Sequence, residues 1–111
     1  MGWTRACAMA DVPTDEALGV TVDGVDVAIA RDGDEVFALR DECSHAAVPL
    51  SEGEVADRTV ECWLHGSTFD LVTGKPTCLP ATEPVATFPV ELRYGDVYVD
   101  TSTTLNGVSA S

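Results

Sequence analysis

The chain reads as an all-β protein. Apolar residues alternate with polar or small ones along several short segments, Asp-Gly and Gly-Asp pairs punctuate those segments, and helical periodicity is nearly absent. The 111 residues fit one domain with a modest core.

The elements follow in order. Trp3, Cys7 and Met9 share a face of a first strand, with Cys7 as a buried apolar thiol. Residues 12–19 suit one short helical turn capped by Thr14. Val25, Val27 and Ile29 alternate with Asp26, Ala28 and Ala30, the period-2 pattern of a half-buried strand. Asp23-Gly24 precedes this strand and Asp32-Gly33 follows it, leading into residues 36–39. Asp-Gly between alternating runs signals a hairpin, because both residues tolerate positive φ. Residues 59–61 and 69–72 are further short strands, the second ended by Thr73-Gly74. Phe88, Val90, Leu92 and Tyr94 line one face of a later strand, with Pro89 marking its start or an edge. Gly95-Asp96 turns that chain into residues 97–99. Residues 101–111 are small and polar and are expected to form a disordered tail.

Charge narrows the function. Nineteen acidic against 6 basic residues give a net charge of −13. Phosphates and anionic lipid both demand basic patches, so neither nucleic acid nor a membrane surface is an expected partner. The acids run from Asp11 to Asp100, a distribution that keeps a chain soluble or steers it to a basic protein partner. No run approaches the twenty or so apolar residues that span a bilayer. Residues 1–6 lack a basic region followed by an apolar stretch, and no twin arginine occurs, so a cytoplasmic location is expected. In a reducing compartment the four cysteines read as ligands or buried thiols, and a Cys7–Cys78 disulfide is disfavoured.

The chemistry concentrates in two boxes, Cys43-Ser44-His45 and, sixteen residues on, Cys62-Trp63-Leu64-His65. The chain has 2 histidines, and both fall here. Two thiolates and two imidazoles suit tetrahedral zinc or a [2Fe–2S] cluster with two Cys on one iron and two His on the other. Zinc sites space paired ligands two to four residues apart, whereas a single residue separates Cys43 from His45. Side chains at i and i+2 of an extended segment point the same way and reach two neighbouring irons better than one ion. A zinc-stabilised interaction module and a pair of core cysteines beside incidental histidines are the alternatives. The boxes lie between strand-rich flanks, which suggests a metal-binding insertion over about residues 41–82 of a β scaffold occupying residues 1–100.

These boxes, with Leu50-Ser51-Glu52-Gly53-Glu54-Val55, Gly66-Ser67-Thr68-Phe69-Asp70, Thr73-Gly74-Lys75-Pro76 and Leu79-Pro80-Ala81, make residues 3–100 resemble a small Rieske-type ferredoxin. The resemblance implies an antiparallel β sandwich with an inserted cluster-binding subdomain and one [2Fe–2S] cluster per chain. It implies Cys43 and Cys62 on an inner iron and His45 and His65 on an outer one. It also implies that residues 74–80, including Pro80, pack over the cluster. Respiratory relatives carry an extra disulfide whose positions are Val48 and Leu64 here. High-potential members hydrogen-bond the cluster sulfurs through a Ser and a Tyr. Ser67 keeps the first and Phe69 replaces the second, so the potential is expected below the top of the roughly −150 to +300 mV Rieske range. Trp63 stands where many relatives carry Pro, either at a docking rim or packed on the scaffold.

Both histidines are committed to the cluster, so no general base and no two-His-one-carboxylate iron site remains. No Gly-rich dinucleotide motif follows a strand. The chain therefore reads as a carrier and not an enzyme. By resemblance it is a monomer passing electrons from an NAD(P)H-dependent ferredoxin reductase to a terminal oxygenase. A small subunit of a nitrite-reductase-like oxidoreductase and a redox protein of iron–sulfur assembly are the alternative roles.

Overall fold

The structure, a computed structural model, describes residues 2–43, 48–63, 66–78 and 82–108. Among the described residues ten strands form three antiparallel sheets. The first orders β1 (Thr4–Ala8), β10 (Asp96–Val99) and β9 (Val90–Arg93). The second orders β2 (Leu18–Val22), β3 (Val25–Asp32), β4 (Glu35–Arg40) and β8 (Thr87–Phe88). The third is small: β5 (Val55–Ala56), β6 (Thr59–Glu61) and β7 (Thr68–Asp70).

The large sheet is the middle layer. Val27 and Ile29 of β3 face the first sheet, in a core with Cys7, Val22, Ala38, Phe88, Val97 and Val99. Ala28 and Ala30 face the other way, into a second core with Leu39, Leu50, Val60, Phe69 and Leu71. β3 is thus buried on both faces, where a half-buried strand was expected; the two alanines are core residues whose small size lets the third sheet approach. The antiparallel sandwich is as expected, with the third sheet packed on its back.

The tight turns follow backbone chemistry. Val22 pairs with Val25 across Asp23-Gly24, whose φ values are 50° and 82°. Asp32 pairs with Glu35 across Gly33-Asp34, and Gly33 has φ 62°. Arg93 pairs with Asp96, so the last hairpin turns at Tyr94-Gly95, one residue earlier than the sequence suggested. Two successive positive φ values give the mirror-image turn that matches strand twist.

Three further expectations change. Residues 12–19 form no helical turn; among the described residues the 3₁₀ turns are Met9–Asp11 and Leu50–Glu52. Val12 and Ala17 are buried in different cores, which pulls the segment extended. Phe88 and Val90 do not lie on one strand, because at Pro89, lacking an N–H, the chain leaves the large sheet and joins the first, although both side chains pack on the first core. Leu92 is half-exposed and Tyr94 fully so. Residues 105–108, expected in a disordered tail, are instead bonded to the body: Leu105 N–H donates to the Thr87 carbonyl at 2.7 Å, and Val108 packs on the first core.

The arginines are occupied internally. Arg5 pairs with Asp96 (3.1 Å), Arg40 with Glu42 (3.2 Å), Arg58 with Asp32 and Glu35 (2.8 and 2.7 Å) and Arg93 with Glu91. Arg31 donates to the carbonyls of Gly33 and Met9. Among the described residues no helix is long and apolar enough to cross a membrane.

Candidate metal centre

Cys43 and Cys62 sit just beyond the ends of β4 and β6, 3% and 0% exposed, in one buried apolar cluster. Their backbones are closed in the same way. Cys43 N–H donates to the Val48 carbonyl at 2.9 Å, and Cys62 N–H donates to the Ser67 carbonyl at 2.6 Å. Each cysteine therefore starts a loop pinned five residues on. In the second loop Gly66 N–H also donates to the Cys62 carbonyl at 2.9 Å, with Gly66 at φ 76°. His45, His65 and Pro80 lie outside the described residues. Among the described residues no group of three or more His, Cys, Asp or Glu gathers around a common point.

The stem of the first loop is clasped. Asp41 takes the backbone N–H and the hydroxyl of Ser51, each at 2.7 Å, on its two carboxylate oxygens. Asp41 N–H itself donates to the Asp26 carbonyl at 2.9 Å. A Cβ on Gly19 of β2 would meet Ser51 Oγ at 2.7 Å and Asp41 Oδ2 at 2.9 Å, so glycine leaves room for the clasp. The turn at Leu50–Glu52 then delivers Gly53 onto β6. A Cβ at Gly53 would lie 1.6 Å from the Glu61 carbonyl oxygen, one residue before Cys62. That backbone contact brings the downstream arm of the first box against the upstream arm of the second.

A third segment lies against the second box. Pro76 bridges Phe69, and Thr77 N–H donates to the Thr68 carbonyl at 2.7 Å. Asp70 caps the preceding turn by accepting from the N–H groups of Val72 and Thr73. Cys78 Sγ lies 3.6 Å from the Gly66 carbonyl and 3.4 Å from Thr68 Oγ1, exposed to solvent. The Thr68 hydrogen bond holds the Cys78 thiol below its ordinary pKa. Burial, reinforced by Asp11, pushes the Cys7 thiol up.

Ser67 and Phe69 are both fully buried, and Phe69 is in the same cluster as the two cysteines. Val48 packs on that cluster. Trp63 is half-exposed, so the ring beside Cys62 is open to a partner. Sequence reasoning missed the Asp41–Ser51 clasp. Its one local trace is a glycine inside a strand, at Gly19, where such residues mark close approach of another chain segment.

Residues 2–89 match the family model described as Rieske [2Fe-2S] domain. Over 96 residues the chain is 47% identical to the ferredoxin subunit of 3-phenylpropionate/cinnamic acid dioxygenase from Shigella flexneri serotype 5b, covering 86% of this chain and 90% of that protein. The same figures hold for the subunit of that name from Escherichia coli K12. The ferredoxin of carbazole 1,9a-dioxygenase from Nocardioides aromaticivorans IC177 superposes with a TM-score of 0.85 at 33% identity, over 89% of this chain and 97% of that one. A chain in a complex of reduced oxygenase and oxidized ferredoxin in carbazole 1,9a-dioxygenase gives a TM-score of 0.81 at 37% identity, over 87% and 91%. With its sandwich, its paired cysteine loops and these matches, the chain belongs to the Rieske [2Fe–2S] domain family.

Proposed function

We propose that the protein is a soluble, cytoplasmic, monomeric one-electron carrier that takes electrons from an NAD(P)H-dependent ferredoxin reductase and delivers them to a terminal oxygenase. The observation that carries this reading is the pair of matched loops, each presenting a buried thiol from one apolar cluster. The donor chemistry fits an iron–sulfur group: two thiols held out of water, on backbones already tied by their own N–H groups. Cys43 and Cys62 would hold one iron of a single [2Fe–2S] cluster, and His45 and His65 the other. Such a cluster supplies one reversible electron. Ser67 would donate to its sulfurs, and Phe69, with no hydroxyl, would not. Residues 41–82 would form the cluster-binding part of a single domain, with Pro80 in the covering loop. Half-exposed Trp63 offers an apolar contact beside the second box. The relatives named as ferredoxin subunits of dioxygenases support an oxygenase client.

The deciding experiment measures iron, acid-labile sulfide and the EPR spectrum of the reduced chain. About two irons and two sulfides per chain with a Rieske-type signal are expected. Bound zinc without sulfide overturns the proposal. Reduction by a ferredoxin reductase should slow as salt is raised, because the attraction of a −13 surface for a basic partner is screened beyond roughly 10 Å at 0.1 M.

A further inference from the structure

Asn106 uses every hydrogen-bonding position on its side chain. Its Nδ2 donates to the carbonyls of Thr73 and Val85, both at 2.9 Å. Its Oδ1 accepts from the backbone N–H groups of Thr87 and Val108, both at 3.3 Å. Thr73 and Val85 stand at the two ends of one loop. Val85 N–H donates to the Gly74 carbonyl at 2.9 Å, closing the neck. The neck is tight: a Cβ at Gly74 would meet Val85 O at 2.2 Å and Asn106 Nδ2 at 2.9 Å, and its φ is 74°.

From this neck the chain runs straight to the second cysteine box. Pro76 bridges Phe69, Thr77 bonds to Thr68, and Cys78 Sγ approaches Gly66. The amide of one residue near the C-terminal end thus grips both ends of the segment that lies on the Cys62 loop. A polar side chain satisfied four times at a partly buried junction specifies one geometry, because any displacement leaves carbonyls unpaired.

We propose that Asn106 is a positioning residue for the metal centre: by clasping both ends of the loop between Thr73 and Val85, it keeps that loop seated on the second cysteine box and limits access of solvent to the cluster. The seating follows from the hydrogen bonds alone; the effect on the cluster rests on the function proposed above.

The test compares the full-length holoprotein with Asn106→Ala and Asn106→Asp, with Ser102→Ala as a control in the same segment. The aspartate retains the acceptor and loses both donors to the neck. Hydrogen exchange should rise at least about tenfold in peptides covering residues 68–78 and 84–88 in both Asn106 variants, with β3 unchanged. Visible absorbance under excess iron chelator should decay several-fold faster in both, and at the wild-type rate in Ser102→Ala. Unchanged exchange at the neck overturns the clasp. An equal rise in β3 overturns it too, reducing Asn106 to a contributor to global stability. Faster exchange at the neck with wild-type cluster loss overturns the positioning role. A wild-type chain that purifies without iron and sulfide overturns the function proposed above, while the exchange measurements decide the clasp independently.

Discussion

The middle strands of the large and small sheets are held by different means. β3 runs for 8 residues and buries side chains on both faces, so each layer of the molecule packs against it. β6 runs for 3 residues, and Val60 is its one fully buried side chain. What holds β6 is backbone: Glu61 N–H to the Glu54 carbonyl, the Glu61 carbonyl under Gly53, and Cys62 N–H to the Ser67 carbonyl. A packed region absorbs a lost methyl group by partial collapse. β6 offers a single buried side chain to trim, and its backbone contacts leave no space to yield. The scaffold therefore sets stability, and the cysteine-bearing region sets geometry at the site.

Gly53→Ala puts this contrast to its most severe test. A methyl group placed 1.6 Å from a carbonyl oxygen forces the Leu50–Glu52 turn away from β6. We expect a loss of about 4 kcal/mol or more, or a chain that purifies without iron, read by denaturant unfolding and iron content. Near-wild-type behaviour would mean that the two boxes converge by another route.

Next in size is Ile29→Ala, in the core that does not include Cys43 and Cys62, with an expected cost of about 2–5 kcal/mol. Its midpoint potential should not move. A shift in voltammetry would collapse the distinction between the regions.

Ser67→Ala reverses the pattern. Losing one hydroxyl donor of about 1 kcal/mol to a one-electron centre should lower the midpoint by about 40 mV. Unfolding should change less than for Ile29→Ala. An unmoved potential would place the Ser67 hydroxyl elsewhere.

The smallest effect concerns the thiols outside the boxes. Cys78 is held below its ordinary pKa and Cys7 above, so the thiolate of Cys78 persists at lower pH. Alkylation with pH, followed by mass spectrometry, should label Cys78 first. Thr68→Val should move its labelling midpoint upward, towards that of an ordinary thiol. Equal labelling of the two cysteines would contradict the structure.

Much of the scaffold is legible in the amino-acid order, because alternation and turn chemistry are local. Val25, Val27 and Ile29, with Asp23-Gly24, mark a strand and its hairpin without reference to the rest of the chain. The second buried face of β3 is not legible, since Ala28 and Ala30 look like surface filler until a third sheet lies on them. The two boxes are legible because their residue types are rare: both histidines fall within three residues of a cysteine. Their support is not. Asp41 with Ser51, Gly53 with Glu61 and Asn106 with Thr73 are isolated pairings between separate segments, with no period to betray them. Asn106 in particular stands among small polar residues whose composition reads as a tail.

The internal pairing of the arginines has a consequence for how copies of the protein meet. Each guanidinium is already bonded to this chain, so two approaching molecules have chiefly carboxylates to offer one another. Like charge then acts as insulation between identical molecules. Electron self-exchange should then be slow at low ionic strength and quicken with salt, the reverse of transfer to a basic partner. A reduced molecule in a crowded pool of its own kind would then keep its electron until it meets a surface of opposite sign.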